Sequence, residues 1–306
     1  MSTEYIHFTA EQKEAARQTD LVALLQSQGE RLKRSGKEYV WRDGSEKVTV
    51  RGNLWFHQYE RIGGDAVDFV RRFYNMDFPQ AVNFLLGNNG GALPQAEPVK
   101  REPPKPFTLP PKNDNMRRVY AYLLNRRGID REVLSAFVHK GMIYESADYH
   151  NAVFVGYDEH GIARHAHKRG TGSESTYKGN AESCDPRYSF HWTGTDNALY
   201  LFEAPIDMLS FISLHKENWR SHSYAAACCV GDQVLFQMLK ANPNINTVYL
   251  CMDNDAAGQA ANKRISDKLF IQGIKHEIIV PEHKDWNEML LYDEQEEEEI
   301  CQTLQL

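Results

Sequence analysis

The chain has 306 residues, 42% of them hydrophobic and 25% charged, with a formal net charge of −7. This is the composition of a folded protein with room for two or three domains. No apolar run approaches the roughly 20 residues of a membrane helix, and the polar opening "MSTEYIHFTAEQ" lacks a signal-peptide layout, so a cytoplasmic location is expected. Cys184, Cys228, Cys229, Cys251 and Cys301 include no C-x-x-C pair, which argues against a disulfide framework and a cysteine zinc site.

The first predicted elements make a small module over residues 1–87. "DLVALLQSQG" has helical apolar spacing, and "EYVWRD", "KVTVRG" and "LWFHQY" read as short strands. "GGDAVDFVRRFYNMDFPQAVNFLLG" reads as two helices joined at "NMDFP". Trp41, Trp55, Phe56 and Tyr59 are either core or a platform for single-stranded bases, where stacking is worth about 1–3 kcal/mol per base. Core packing is the expectation for most of them. Residues 88–115 are rich in Gly and Pro without apolar periodicity, the mark of an extended linker.

A subdomain follows over residues 116–196. "MRRVYAYLLNRRGIDREVLSAFVHKG" reads as two short helices broken at Gly128, and "NAVFVGYDEHGIARHAHKRG" as two strands around a turn at "DEHG". Ten Lys/Arg against four Asp/Glu fill residues 100–140, which is either solvated surface or a nucleic-acid contact. In the second strand Arg164, Ala166 and Lys168 share one face, while His165, His167 and Arg169 share the other. Arg164, Lys168, Arg169 and the later Lys178 are candidate phosphate contacts, against the alternative of an edge strand guarded by charge. His165 and His167 have no carboxylate neighbour in sequence to complete a metal site.

Over residues 197–306 apolar strands alternate with amphipathic helices: "ALYLFE", "PIDMLSFISLHKE", "SYAAACCV", "DQVLFQMLKAN", "NTVYLCMD", "AAGQAANKRISDKLFIQG" and "KHEIIVP". That rhythm predicts a parallel sheet covered on both faces, with ligands outside the carboxyl ends of its strands. Cys228, Cys229 and Cys251 fall inside the strands as core. Residues 282–299 carry nine acids against Lys284, an acidic tail that reads as solvated surface.

Glu203 closes the first of these strands, and Asp253 and Asp255 close the third. If the two strands are neighbours, three carboxylates converge on one edge. Oxygen donors without Cys or His at ligand spacing suit a hard cation, Mg²⁺ or Mn²⁺, and metal-assisted phosphoryl or nucleotidyl transfer is the matching chemistry. The alternative is that Asp253 and Asp255 cap the following helix at its positive end. A calcium loop is set aside, because the glycine and closing glutamate of an EF-hand are misplaced.

"LFEAPIDMLSF" followed by "CMDNDAAGQAA" resembles the Toprim domain of bacterial primases, topoisomerases and OLD-type nucleases. The resemblance implies Glu203 as general acid/base or metal ligand, Asp253 and Asp255 as metal ligands, and Gly258 as the residue that lets a helix start close to the sheet. Asp207 matches a further aspartate of primases, and "HKDWNEML" makes Asp285 a weaker candidate. Pro205 departs from the glycine that primases favour there. "GGDAVDFVRRFYNMDFPQAVNFLL" and "DLVALLQSQGERLKRSGKEYV" resemble parts of the primase zinc-binding domain, "YLLNRRGIDREVLSAFVHKG" and "NAVFVGYDEHGIARHAHKRG" the segments before the primase Toprim, and "STYKGN" its Lys-Tyr-Leu-Asn segment.

The order of these pieces resembles the DnaG-type primases along nearly the whole chain. It implies an α/β fold: a Toprim, Rossmann-like parallel sheet preceded by a mixed α+β subdomain and a small α+β N-terminal module. By that resemblance Arg164, Lys168, Arg169 and Lys178 line a nucleotide and template channel, and Mg²⁺ or Mn²⁺ is the cofactor. The implied partners are a single-stranded DNA template and nucleoside triphosphates, with a replication helicase or mobilisation protein as candidate protein partner and no membrane. "YVWRDGSEK" and "LWFHQYERIGGDA" lack the family's zinc ligands, and His57 alone cannot hold zinc, so a zinc-less relic of that module is expected. The helicase-binding domain of the family has no counterpart here, which fits a compact primase of a plasmid, phage or other mobile element. Two alternatives stay open: a metal-dependent Toprim nuclease, although no G-x-x-x-x-G-K-[ST] ATPase motif is present, and a non-catalytic module that binds single-stranded DNA or a partner.

Overall fold

The computed structural model describes residues 8–43, 46–58, 60, 62–87, 94–96, 105–228 and 231–293. The chain divides into two units, Met1–Pro103 and Pro104–Leu306.

The first unit opens with α1 (Ala10–Arg17) and α2 (Leu21–Ser27), whose N-termini are held by Thr9 and Asp20 side chains that accept from Gln12 N and Ala23 N. An antiparallel sheet follows in chain order: β1 (Lys33–Ser35), β2 (Glu38–Asp43), β3 (Glu46–Arg51), β4 (Leu54–His57) and β5 (Gly63–Gly64). The sequence reading anticipates the three middle strands and misses the two edges. β1 is "KRS", exposed throughout, and β5 is a bare Gly-Gly, so neither carries the apolar alternation that marks a strand.

α3 (Ala66–Phe73) and α4 (Phe78–Leu85) close the unit, and each starts at a capping box, Asp65 with Asp68 and Asp77 with Gln80. Trp41 and Trp55 are buried with Leu21, Leu24, Val48, Val50, Phe69 and Val82, so both are core; Phe56 is partly exposed, and Tyr59 lies outside the described residues. His57 is buried, and its Nδ1 accepts from Glu60 N.

The described parts of residues 88–115 are paired rather than free. Pro94 O and Gln18 O take part in bonds that tie 94–96 to the first unit. In the second unit, Pro110 O accepts from the Tyr144 hydroxyl, and Asn113 N donates to Glu145 O. Proline-rich backbone lacks donors but keeps its carbonyls, and those carbonyls find partners on each side.

The second unit begins with α5 (Arg117–Tyr120), which runs into a π-helical turn over Ala121–Arg126, and with α6 (Arg131–His139). The break between them falls at Gly128, whose φ of 64° is open to glycine at little cost. An antiparallel four-stranded sheet comes next: β6 (Ile143–Glu145), β7 (Ala152–Tyr157), β8 (Ala163–Arg169) and β9 (Lys178–Asn180).

The last sheet is mixed, in the order β10 (His191–Trp192), β12 (Ser223–Ala226), β11 (Ala198–Phe202), β13 (Thr247–Cys251) and β14 (Lys275–Ile278). β10 is antiparallel and the other four run parallel. α7 (Pro205–Leu214), α8 (Gln233–Ala241) and α9 (Ala256–Ile271) make the crossovers, and α10 covers residues 286–293. Leu199, Leu201, Val248 and Leu250 pack one face with α8 and α9, while Phe202, Tyr224 and Cys251 pack the other with α7 and Trp286. Burial on both faces explains why these strands read as unbroken apolar runs. Among the described residues no helix is long and apolar enough to cross a membrane; Cys229 and the acidic stretch from residue 294 lie outside them.

Candidate active site

β11 and β13 are neighbours with Phe202 opposite Cys251, so Glu203, one residue past that pair, and Asp253, two residues past it, follow the carboxyl ends of adjacent strands. Asp207 sits in the first turn of α7. Pro205 occupies the start of that helix, where its missing N–H costs nothing and its fixed φ suits the helix; the proline that departs from the family pattern is thus locally sound.

The two aspartates of "DND" have separate jobs. Asp255 is the N-cap of α9, its Oδ1 accepting from Ala257 N at 2.9 Å and Gly258 N at 2.8 Å. Asp253 does not cap, and its buried Oδ1 has no hydrogen-bond partner. Gly258 permits this arrangement, because a Cβ there would stand 2.0 Å from Asp253 O. Asp285 caps α10, its Oδ1 accepting from Glu288 N at 2.7 Å, and Trp286 Nε1 donates to Cys251 O at 2.9 Å, which pins α10 to the strand below Asp253.

These carboxylates line one cleft of about 260 Å³ together with Arg127, His167, Arg169, Lys178, Lys284 and Asn287. Burial raises Asp253 to about 7, helped by repulsion from Glu203, Asp285 and Asp255 and opposed by Lys178. Burial likewise raises Glu203, with Lys178 opposing and Asp255 and Asp285 adding. Asp207 is pushed well above its ordinary range by burial, then by Asp253, Asp285 and Glu203, with Arg127 opposing. Three carboxyls that resist ionisation, first through burial and then through one another, make the cleft a candidate site for a cation.

The donors are oxygens, and one of them is orphaned, so the residues fit a hard divalent ion. Among the described residues no three His, Cys, Asp or Glu side chains form a group that could hold a metal on their own. Mg²⁺ typically takes one or two carboxylates and completes its shell with water and phosphate, so a pair of these carboxylates would suffice.

Of the basic residues read from sequence, Arg169 and Lys178 line the cleft and Arg164 and Lys168 do not. The period of β8 explains the split. His167 lies opposite Phe154, and both belong to the face turned toward the second unit's main core. Arg164, on the other face, pairs with Asp158 at 2.7 Å, and Lys168 lies over the Tyr177 ring. His167 Nδ1 hydrogen-bonds Asn180 Oδ1 at 2.7 Å, and Asn180 Nδ2 donates to Cys228 O, so this imidazole supports the cleft floor; burial holds it down at about 4. His165 is buried beside it.

Arg127, Lys284 and Asn287 are site residues that sequence reading passes over. Arg127 Nη1 donates to Asn287 Oδ1 at 2.9 Å, and Asn287 Nδ2 returns a bond to Arg127 O at 2.7 Å. Arg127 Nε donates to the Tyr122 hydroxyl at 3.0 Å, and Arg169 Nε reaches the same oxygen at 3.4 Å. One phenol therefore holds two guanidinium groups of the cleft. The signal for Arg127 is weak in sequence, an arginine one residue before a left-handed glycine and far from Glu203 along the chain.

Residues 200–290 match the model of a Toprim-like family, and residues 121–196 match a family described as a protein of unknown function, DUF3991. The carboxylates of the cleft fall within the Toprim-like match, and Arg127, Phe154, His167, Arg169 and Lys178 fall within the other. An uncharacterized protein of Bacillus anthracis is 26% identical over 84% of this chain and 79% of its own length. Similar solved structures include the zinc-binding and RNA polymerase domains of the Aquifex aeolicus primase, at 16% identity, 95% of this chain, 84% of that chain and a TM-score of 0.41. The primase fragment of the bacteriophage T7 primase-helicase protein gives 19% identity, 63% of this chain, 80% of that chain and a TM-score of 0.45.

Proposed function

We propose that the second unit is the catalytic body of a primase-like nucleotidyltransferase, joining nucleoside triphosphates into short primers on single-stranded DNA. The observation that carries this reading is the composition of a single cleft: Glu203, Asp207, Asp253, Asp255 and Asp285 with Arg127, Arg169, Lys178 and Lys284. The Toprim-like match over residues 200–290 and the ordered resemblance of the preceding segments to primases support it. In this reading the protein is a cytoplasmic primase of a mobile element, using Mg²⁺ or Mn²⁺, with a replication helicase or mobilisation protein as partner.

Glu203 and Asp253 would hold the ion, with Asp207, Asp255 and Asp285 around them. When bound, a divalent ion neutralises triphosphate charge and lowers the pKa of an attacking hydroxyl. Glu203, as a carboxylate whose proton affinity burial raises, takes the hydroxyl proton as the new bond to the α-phosphorus forms and pyrophosphate leaves. Arg169, Lys178 and Lys284 bind phosphate oxygens, and Arg127 is held in line by Asn287 and Tyr122. Arg164 and Lys168, outside the cleft, are left to a template path beyond it.

The test is template-directed synthesis. Purified protein with Mg²⁺ or Mn²⁺, single-stranded DNA and nucleoside triphosphates should yield short oligomers, and Asp253→Ala should yield none. Metal-dependent nicking of plasmid DNA that Glu203→Ala abolishes, without oligomer formation, would replace the reading with a nuclease. Single-stranded DNA binding that survives both substitutions with no product of either kind would replace it with a binding module.

A further inference from the structure

β14 is the terminal strand of the main sheet, and among the described residues its only neighbour is β13. Around it lies a concentration of exposed apolar side chains. Phe270 and Ile271, at the end of α9, are 80% and 83% exposed, and Ile278 and Val280, at the far end of the strand, are 49% and 45% exposed. A bare strand edge flanked by such residues is an invitation to pairing.

We propose that β14 is the interface of a homodimer, pairing antiparallel with the same strand of a second copy about a two-fold axis at His276. The strand is self-complementary in that register. With His276 opposite its own copy, Lys275 faces Glu277 of the second chain and Glu277 faces Lys275, so both charges are matched twice, as an isologous contact requires.

The backbone fits as well. Ile279 N donates to Leu250 O, so odd-numbered residues spend their N–H and C=O on β13 and even-numbered ones present theirs to the open edge. His276 and its copy then form a pair exchanging two N–H···O bonds. Lys275 and Glu277 fall in the non-hydrogen-bonded pairs, where opposing side chains are closest.

The apolar groups meet by the same symmetry. His276 Nε2 contacts Ser266 Oγ of α9, and Ile274 packs in the core cluster of α9, so even-numbered side chains share the α9 face. An axis perpendicular to the sheet keeps both α9 helices on that face. It sets Ile278 against Ile274 of the second copy, and Val280 beside that copy's Phe270 and Ile271. The carboxyl ends of the two strands point in opposite directions, so the two clefts open at opposite ends of the continuous sheet.

The experiment is analytical ultracentrifugation of the full chain over a concentration series, with circular dichroism to establish that each variant is folded. All the substituted side chains are exposed, so folding is retained. The wild type should show a monomer–dimer equilibrium. Lys275→Glu puts two like-charged pairs in the interface and should weaken it by about tenfold or more; the exchange Lys275→Glu with Glu277→Lys should restore it. Phe270→Glu should also favour the monomer. A wild type that stays monomeric at every concentration overturns the proposal. So does a dimer indifferent to Lys275→Glu, or one that the charge exchange fails to rescue.

Discussion

The aromatic centre of the first unit and the acidic cleft of the second are both partly closed from water and follow opposite rules. Around Trp41 and Trp55 every polar handle has a use: one indole N–H donates to Glu30 Oε2 and the other to Asp65 O. Phe69 and Phe73 fill the space between the indoles at centroid distances of 5.2 to 6.2 Å. In the cleft, Asp253 Oδ1 is buried without a partner, Asp207 is buried among like charges, and α7 starts with no side-chain cap. Where propensity, packing and polar satisfaction agree, a region is built for stability; where they are set against each other, the conflict marks the place of chemistry.

Removing the conflict should separate the two properties. Asp253→Asn is expected to cut primer synthesis by about 10²–10³-fold, the order lost with one preorganised electrostatic contact, while raising the melting temperature of chelator-treated protein. Activity and calorimetry on the same sample check this; a variant that loses both properties would show Asp253 to be structural. The aromatic centre should answer in reverse. Trp41→Ala should cost about 3–5 kcal/mol, read as an early unfolding transition for the first unit, with the transition of the second unit unchanged.

The pH dependence of stability in chelator sharpens the contrast within the second unit. Burial lowers His167 from its ordinary 6.5 to about 4, so between those values the unfolded chain binds a proton that the folded one refuses. Its contribution is complete above pH 6.5 and is lost as pH falls toward 4, about 3 kcal/mol at ~1.4 kcal/mol per unit. Asp253, raised from 3.8 to about 7, acts in the opposite sense: the folded chain takes up the proton first, so stability falls as pH rises through that window. Glu203 and Asp207, raised likewise, add to the sense of Asp253, so His167 offsets only part of the fall in the wild type. Relative to wild type, Asp253→Asn should make the slope of stability against pH more positive, and His167→Gln should make it more negative. Parallel slopes in the two variants would show that neither group governs the profile.

How much of this was legible in the chain follows from the range of each signal. The α7, α8 and α9 crossovers and their strands could be read because a strand buried on both faces is an apolar run and its helix has a different period. Glu203 and Asp253 could be read because each closes such a run. The difference between Asp253 and Asp255 could not, because a helix cap and a carboxylate left without a hydrogen-bond partner are the same residue type beside the same helix. Arg164 and Lys168 were as eligible as Arg169 until the sheet showed which face of β8 meets the cleft. Arg127 and Asn287 are 160 residues apart, and their mutual hydrogen bonds depend on tertiary packing that no local pattern encodes.

The smallest expected effect probes a contact that belongs to both kinds of region. Tyr122 is buried like the aromatics of the first unit, yet its hydroxyl accepts from Arg127 and Arg169 at the cleft. Tyr122→Phe keeps the ring beneath Arg127 and removes only the shared acceptor. Two bonds to charged donors are lost, but neither guanidinium is left in a closed pocket: Arg127 keeps Asn287, and both side chains remain partly open to water. The net loss should be near 1 kcal/mol, seen as a rise of about fivefold in KM for nucleoside triphosphate with kcat nearly unchanged and a melting temperature within about 2 °C of wild type. A fall in kcat at constant KM would instead place the two arginines on the transition state, and a large loss of stability would make Tyr122 an aromatic of the first kind.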